Sequence, residues 1–168
     1  VISSMKRSKK KQIVIVGSGL IGSVMAIAVA SKGFDVTVVD GAKHSNRVER
    51  NKGRTYALSR TSKNLLFNLG MWDPKKLNVS PIKNIVLSTK KDSDDLIHHL
   101  AEFNEKSSSI EPSSYMIEDF YLRNTLASEI NKNKKIQLLD SSEVIQDETN
   151  SFETKIMLSD KSSISTEM

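Results

Sequence analysis

The segment most suited to chemistry is the glycine-rich run Gly17-Ser18-Gly19-Leu20-Ile21-Gly22. It directly follows a short β-branched stretch, Gln12–Val16, and opens a run of small and apolar residues that predicts a helix to Lys32. A helix N-terminus offers amide N–H groups and the positive end of the helix dipole to an anion. We therefore expect this turn to hold the diphosphate of a dinucleotide, with the backbone at Leu20 and Ile21 among its contacts.

Each glycine of the run has its own expected role. Gly17 permits the tight turn, Gly19 lets the backbone approach the phosphates, and Gly22 lets helix and strand pack closely. Asp40 follows the second predicted strand, where a carboxylate can accept hydrogen bonds from a ribose. Two alternatives stay open: an ordinary βαβ unit whose glycines serve packing alone, and an Asp40 that is only a surface strand end.

Composition limits the classes of function. The 168 residues suit one domain, or one domain and part of another, and the net charge is +5. The absence of cysteine excludes a disulfide scaffold, a thiol nucleophile and a thiolate metal site. No stretch is both long and apolar enough to span a bilayer, and no secretory signal is evident. The sequence therefore favours a cytoplasmic protein.

The basic residues are concentrated at the start of the chain. Residues 1–11 carry a lysine and arginine cluster, which we expect to be a solvated, disordered leader. A weak contact with anionic lipid headgroups is the alternative. Nucleic-acid binding is not expected, because no aromatic residues alternate with the lysines. The neighbours His98 and His99 do not have the spacing of a metal site, so no metal is predicted.

Three further motifs come after Asp40. They are Arg54-Thr55-Tyr56-Ala57-Leu58-Ser59, then Leu69-Gly70-Met71-Trp72 after a helix from Arg60, and Pro81-Ile82-Lys83-Asn84-Ile85 in a strand extending to Ser88. With the glycine turn and the acid, this order resembles the flavoprotein aromatic hydroxylases, most closely the branch that hydroxylates ubiquinone precursors. The resemblance covers nearly the whole chain from Gln12 onward and corresponds to the N-terminal portion of that family.

The resemblance implies an α/β fold with a Rossmann-like, FAD-binding βαβ unit of the glutathione-reductase type and a parallel sheet. Part of an inserted, sheet-containing substrate region interrupts it. The implied division is 12–74 for the first part of the FAD-binding domain and 75–115 for the substrate region, with 116–168 returning to the FAD-binding domain. Because the chain ends soon after a predicted strand at Thr154–Leu158 and a turn, we expect it to be truncated, to bind flavin poorly and to be inactive alone.

The resemblance also implies roles for individual residues. Arg54 would place a guanidinium near the flavin and its diphosphate, Leu58 would contribute backbone contacts, and a backbone group near Val144 would meet the adenine. Relatives often carry Arg or Asn where Asp119 stands, so Arg123 becomes a substitute candidate. The alternatives are a surface loop arginine for Arg54 and a surface helix charge for Arg123. Met71 and Trp72 are expected to serve packing.

The implied activity is an FAD-dependent monooxygenase that hydroxylates a polyprenylated phenol in ubiquinone biosynthesis, with NADPH or NADH as reductant and dioxygen as co-substrate. No catalytic residue is assigned, because the flavin carries the chemistry in this class. A lipidic phenol substrate also implies peripheral contact with the inner membrane face, or a biosynthetic complex. The alternatives are a hydroxylase of a soluble aromatic, a non-catalytic dinucleotide-binding module, and an NAD-binding protein, although the Arg54–Ser59 block is not expected in an NAD-dependent dehydrogenase.

Overall fold

The structure is a computed structural model that describes residues 12–43, 53–90, 97–104 and 111–167. The predicted leader at 1–11, most of the polar stretch after Asp40, and the serine-rich loop at 107–109 lie outside these ranges. The described strands are β1 (Gln12–Val16), β2 (Asp35–Val39), β3 (Thr55–Ser59), β4 (Ser80–Pro81), β5 (Asn84–Lys90), β6 (Ile97–Asn104), β7 (Ser114–Glu118), β8 (Ile136–Leu139), β9 (Val144–Thr149), β10 (Glu153–Leu158) and β11 (Ser163–Glu167). The described helices are α1 (Leu20–Ser31), α2 (Arg60–Asn68), α3 (Pro74–Leu77) and α4 (Asp119–Lys132).

The chain divides into two compact units. One unit combines Val1–Lys52 with Arg123–Met168, and the other is Gly53–Leu122. The division predicted from the sequence, at residues 75 and 116, concerns where cofactor and substrate bind. The compact units do not show where cofactor and substrate bind, so the division at residues 75 and 116 stays a prediction.

The first unit is built on a three-stranded parallel sheet in the order β1-β2-β8. Its strands are rich in valine, isoleucine and leucine, as expected for a parallel sheet that is covered on both faces. On one face, Ala26 and Ala30 of α1 pack against Val36 and Val38. The α1 helix is therefore held against the sheet by small side chains.

An antiparallel meander covers the other face of the parallel sheet. Its strand order is β11-β10-β9, and a register shift falls between Met157 and Leu158. Ile156 and Leu158 of the meander form one buried cluster with Val39 of β2. The unit therefore has three layers: helix, parallel sheet and antiparallel sheet.

The contact between α1 and β1 depends on Gly22. A Cβ atom added to Gly22 would lie 1.9 Å from the backbone oxygen of Gly17. This distance is far inside van der Waals contact, so no other residue fits here without movement of the turn. The packing role that the sequence assigned to Gly22 is confirmed.

The second unit contains an antiparallel sheet in the order β3-β7-β4 and a hairpin of β5 and β6. Leu66 of α2, Met71, Leu77 of α3 and Ile117 of β7 are buried. Trp72 packs edge-on against Tyr115, with ring centroids 5.2 Å apart. The packing role predicted for Met71 and Trp72 is thus confirmed.

The α2 helix begins at Arg60 and ends before Gly70, as the sequence indicates. Ser59 caps α2 by accepting a hydrogen bond from the Ser62 amide, and Gly70 comes after the helix with φ of 74°. Asp73 caps α3 by accepting hydrogen bonds from the Lys75 and Lys76 amides. The start and the glycine end of α2 are local signals, which explains why this helix could be predicted, whereas the short helix α3 was not predicted.

Side chains of α2 fix the segment that precedes β7. The Arg60 guanidinium donates to the backbone oxygens of Glu111 and Pro112, at 2.5 and 3.1 Å. The Lys63 ammonium lies 2.5 Å from the Glu111 carboxylate. This hydrogen bond holds the pKa of Glu111 below its usual value of 4.5, against some desolvation, and the Lys63 and Arg60 charges act in the same direction.

One strand prediction is wrong, and one strand was not predicted. The single strand expected over Pro81–Ser88 is two strands, because β4 ends at Pro81 and β5 begins at Asn84. Proline cannot donate to a sheet ladder, which fits its place at the end of a short strand. The residues after the turn at 159–161 form β11, which pairs with β10; the polar sequence of β11 gave little strand signal.

We predict that Gly22→Ala destabilises the first unit by about 3 kcal/mol, because the new Cβ would overlap the Gly17 carbonyl. Helix propensity alone would favour alanine by about 1 kcal/mol, so the sign of the effect is diagnostic. Urea denaturation measures the free energy of unfolding. Ser31→Ala, at an exposed position of α1, is the control; a Gly22→Ala protein as stable as this control would contradict the packing argument.

We also predict an acid-dependent contribution from Glu111. Its pKa is lower in the folded chain, so the ion pair stabilises the fold above pH 4.5 and is lost as pH falls through the folded pKa. Glu111→Gln should therefore show less loss of stability on acidification than the wild type, measured by thermal unfolding across that range. Glu102→Gln, exposed on β6, is the control. Identical acid sensitivity of Glu111→Gln and wild type would refute the role of this pair.

Candidate dinucleotide-binding site

The glycine turn has a backbone that requires glycine at its first position. Gly17 has φ of +102°, a conformation that other residues rarely adopt. Its amide donates to the backbone oxygen of Val39, at 2.7 Å, which ties the end of β1 to the end of β2. The tight-turn role predicted for Gly17 matches this geometry.

Gly19 is the N-cap residue of α1, and no side chain caps this helix. Leu20 and Ile21 form the first turn of the helix, and Ile21 is 86% exposed. An uncapped helix N-terminus next to a glycine turn is the arrangement that suits an anionic diphosphate. A Cβ at Gly22 would overlap the Gly17 carbonyl oxygen, so the glycine at this position lets the turn lie directly against the start of α1. These residues fit the diphosphate of a dinucleotide.

Asp40 is a buried acid at the carboxyl end of β2, with only 3% of its surface exposed. Its Oδ2 accepts hydrogen bonds from the Ser18 amide, at 2.5 Å, and from the Ser18 hydroxyl, at 2.7 Å. Its Oδ1 accepts from the Ala42 amide, at 2.9 Å. The alternative that Asp40 is only a surface strand end is therefore wrong.

The backbone of Asp40 connects the ends of two further segments. Its amide donates to Leu139 at the end of β8, and its carbonyl accepts from Ser142, both at 2.9 Å. Ligands of open parallel sheets bind beyond the carboxyl ends of the strands, and Asp40 lies at that edge. The neighbouring Gly41 allows a close approach of Glu143, whose Cγ would lie 2.7 Å from an added Cβ.

The other predicted contact residues are divided between the two units. Val144 begins β9 in the first unit, and its side chain packs against the buried cluster of Val39, Ile156 and Leu158. Arg123 lies on α4 in the same unit and is half-buried. The structure therefore groups Val144 and Arg123 with the glycine turn and Asp40 in one compact unit.

Arg54 and Leu58 belong to the second unit. Arg54 is exposed just before β3, and its guanidinium lies over the Tyr56 ring, 5.0 Å from the centroid. Leu58 is half-buried in β3, opposite Tyr115. The backbone oxygen of Arg54 accepts a hydrogen bond from the amide of the buried Asp119, at 2.8 Å.

Sequence reasoning missed Ser18. The position between the first two glycines received no role, yet Ser18 is 1% exposed and both its amide and its hydroxyl donate to Asp40. The signal that could have found it is a short hydroxyl residue inside a glycine turn with an acid at the end of the next strand.

A parallel βαβ unit with this turn and a buried acid is the arrangement typical of dinucleotide-binding folds. The family model described as ketopantoate reductase PanE/ApbA matches residues 13–111, more than half of the chain, and the chain belongs to this family. The matched range contains β1, α1 and β2 with the whole glycine turn, and it ends before β7.

Two curated relatives are named as hydroxylases, as the resemblance of the sequence motifs implied. The chain is 29% identical over 125 residues to "Ubiquinone hydroxylase UbiL" of Rhodospirillum rubrum, covering 74% of this chain and 28% of the relative. It is 39% identical over 64 residues to "3-demethoxyubiquinol 3-hydroxylase" of Escherichia coli, covering 37% of this chain and 16% of the relative. The predicted resemblance to ubiquinone-ring hydroxylases is confirmed, and the chain spans less than a third of either relative.

A solved structure extends the likeness to nearly the whole chain. The flavin-dependent monooxygenase PieE, in complex with FAD and substrate, matches with a TM-score of 0.66 and 15% identity. The match covers 94% of this chain and 28% of that one. The fold is therefore that of the N-terminal part of FAD-dependent monooxygenases, and it includes the strands after residue 111 that the family model does not reach.

The helices that the structure describes include none with the length and apolar character needed to cross a membrane.

We predict that Asp40→Asn lowers the free energy of unfolding by about 1–3 kcal/mol. Both carboxylate oxygens accept from backbone N–H groups, so either orientation of an asparagine amide would turn its NH₂ toward a donor. Urea denaturation measures the loss. Asp147→Asn, exposed on β9, makes the same change in charge and should cost little; equal stabilities for the two variants would contradict this description of Asp40.

Proposed function

We propose that this chain is the front part of an FAD-dependent monooxygenase that hydroxylates a polyprenylated phenol in ubiquinone biosynthesis. The observation that supports this most is the continuation of the flavoprotein monooxygenase fold through β7 to β11, past the end of the ketopantoate reductase match. Both curated relatives are named as hydroxylases of ubiquinone or its precursors, which supports the substrate class.

In this proposal the glycine turn and the first turn of α1 hold the diphosphate of FAD. Gly17 permits the turn, Gly22 packs α1 against it, and Gly19 keeps the backbone open to the phosphates. The amides at Leu20 and Ile21 face the negative charge. Asp40 accepts hydrogen bonds from the adenosine ribose. When bound, FAD supplies the redox chemistry with dioxygen, and NADPH or NADH is the proposed reductant.

Further residues complete the proposed cofactor contacts. A backbone group at Val144 meets the adenine, and the backbone at Leu58 contacts the flavin. Arg54 presents a permanent planar cation to the flavin and its diphosphate, and its cation–π contact with Tyr56 limits the directions that the guanidinium can take. Arg123 is a second cationic candidate. The chain's own tasks are binding, orientation and the exclusion of water.

The proposed substrate is lipidic, so the protein would work at the inner face of the membrane, as a peripheral protein or within a biosynthetic complex. The basic leader at 1–11 would add electrostatic attraction to anionic lipids. A soluble aromatic substrate is the alternative within the same chemistry, and a dinucleotide-binding module without turnover is the alternative outside it.

A nicotinamide-dependent reductase is the second candidate function, and the family match over 13–111 favours it. Its dinucleotide would occupy the same turn, since Asp40 suits the ribose of NAD as well as that of FAD. The two candidates differ in the cofactor that stays bound: the hydroxylase retains FAD, whereas the reductase exchanges a nicotinamide cofactor in each turnover.

The proposed function is tested with the complete reading frame that contains this chain. We expect the purified protein to carry FAD, and expression of the frame to restore ubiquinone in a bacterium that lacks its ubiquinone-ring hydroxylase. A protein that carries FAD without restoring ubiquinone would overturn the substrate class alone. A protein that carries no flavin and oxidises a nicotinamide cofactor with a keto acid would favour the reductase.

We predict that Arg54→Ala in that complete protein weakens FAD binding about tenfold, through the loss of a charge-assisted contact. Arg54→Lys should recover part of the loss, because it keeps the charge but not the planar fork. Flavin release on dilution, followed by fluorescence, gives the affinity. Lys75→Ala, in the short helix α3, is the control for a lost cation; an Arg54→Ala affinity equal to that of the control would remove Arg54 from the site.

A further inference from the structure

Ser18 links the two parts of the proposed site. It lies inside the glycine turn, where the diphosphate would bind, and its hydroxyl donates to Oδ2 of Asp40, at 2.7 Å. The Ser18 amide donates to the same oxygen, at 2.5 Å. Ser18 therefore donates two hydrogen bonds to one carboxylate oxygen of Asp40, the residue proposed to bind the ribose.

A hydrogen bond from the α1 helix fixes the backbone of Ser18. The Ser23 hydroxyl donates to the backbone oxygen of Ser18, at 3.1 Å, and both serines are almost fully buried. On the far side, the Ala42 amide fixes Oδ1 of Asp40. The path Ser23–Ser18–Asp40–Ala42 thus runs from α1 through the turn to the segment after β2, and each step is a hydrogen bond.

The hydroxyl adds something that the backbone alone does not supply. The backbone supplies one amide donor to each carboxylate oxygen, Ser18 to Oδ2 and Ala42 to Oδ1. The Ser18 hydroxyl adds a second donor on Oδ2 from a buried side chain, and this further restricts the plane of the carboxylate. Charge-assisted hydrogen bonds are the stronger kind, so this restriction persists against water.

We propose that Ser18 is a positioning residue, which orients the Asp40 carboxylate toward the ribose of the bound dinucleotide. This inference rests on the proposed dinucleotide site at the glycine turn. It assigns to Ser18 no contact with the ligand: the hydroxyl acts through Asp40, and the effect on binding is confined to the ribose end of the ligand.

The test compares two ligands in the wild type and its variants, using the protein expressed from the complete reading frame, freed of flavin, and isothermal titration calorimetry. The ligands are ADP and 2′,3′-dideoxy-ADP, which lacks the ribose hydroxyls that Asp40 would bind. We expect Ser18→Ala to weaken ADP binding about tenfold, the equivalent of one charge-assisted hydrogen bond, and to change dideoxy-ADP binding less than about twofold. Ser18→Thr, which keeps the hydroxyl, should restore part of the ADP affinity.

The controls separate positioning from structure and from the proposed function itself. Ser31→Ala, an exposed serine of α1, should leave both affinities unchanged. Equal losses for ADP and dideoxy-ADP in Ser18→Ala would overturn the inference, because a merely loosened turn weakens both ligands. Wild-type binding of ADP with no difference from dideoxy-ADP would overturn the ribose role of Asp40 and the inference with it. A complete wild-type protein that binds neither ligand would overturn the dinucleotide site at this turn.

Discussion

The hydrogen bonds between Ser18 and the buried Asp40 carboxylate are the constraint on which the arrangement of the first unit depends. A carboxylate with 3% exposure is costly unless its oxygens are paired, and here donors from two separate loops meet it. Satisfying Asp40 therefore requires the turn after β1 and the segment after β2 to lie together. The backbone of Asp40 also forms hydrogen bonds with the end of β8 and the loop after it. The segments after β1, β2 and β8 therefore meet at one edge of the sheet. Close packing at Gly22 then sets the distance of α1 from this edge.

Much of this unit could be predicted from the sequence because its signals are local. The β-branched run at Gln12–Val16, the glycine spacing and the acid after Val39 each act within a few residues, and the structure has β1, α1 and β2 where they indicate. The partner of Asp40 could not be predicted in this way. The Ser18–Asp40 contact joins residues 22 positions apart, and a serine between two glycines has no local signature of burial.

The second unit shows where local reasoning is weaker. The α2 helix and its end at Gly70 were visible in the sequence, but the short helix α3 was not predicted. The strand expected after Pro81 divides into β4 and β5, and only the pairing of β4 with β7 explains why. The anchoring of residues 111–113 by Arg60 and Lys63 likewise joins distant positions. The predicted roles of Arg54 and Leu58 depend on a ligand as well as on the fold, so the backbone alone does not decide them.

The family model and the solved monooxygenase agree on the βαβ unit and differ over the C-terminal third of the chain, which only the monooxygenase match covers. A turn that binds a diphosphate serves many chemistries, so function must be argued from the groups around it. The most direct test of the central claim is a backbone-amide NMR titration of the complete, flavin-free protein with ADP. We predict that the largest shifts fall on Gly17 to Gly22, on Asp40 to Ala42 and at Val144. Saturable binding whose shifts lie outside these segments, or the absence of any shift, would contradict the account.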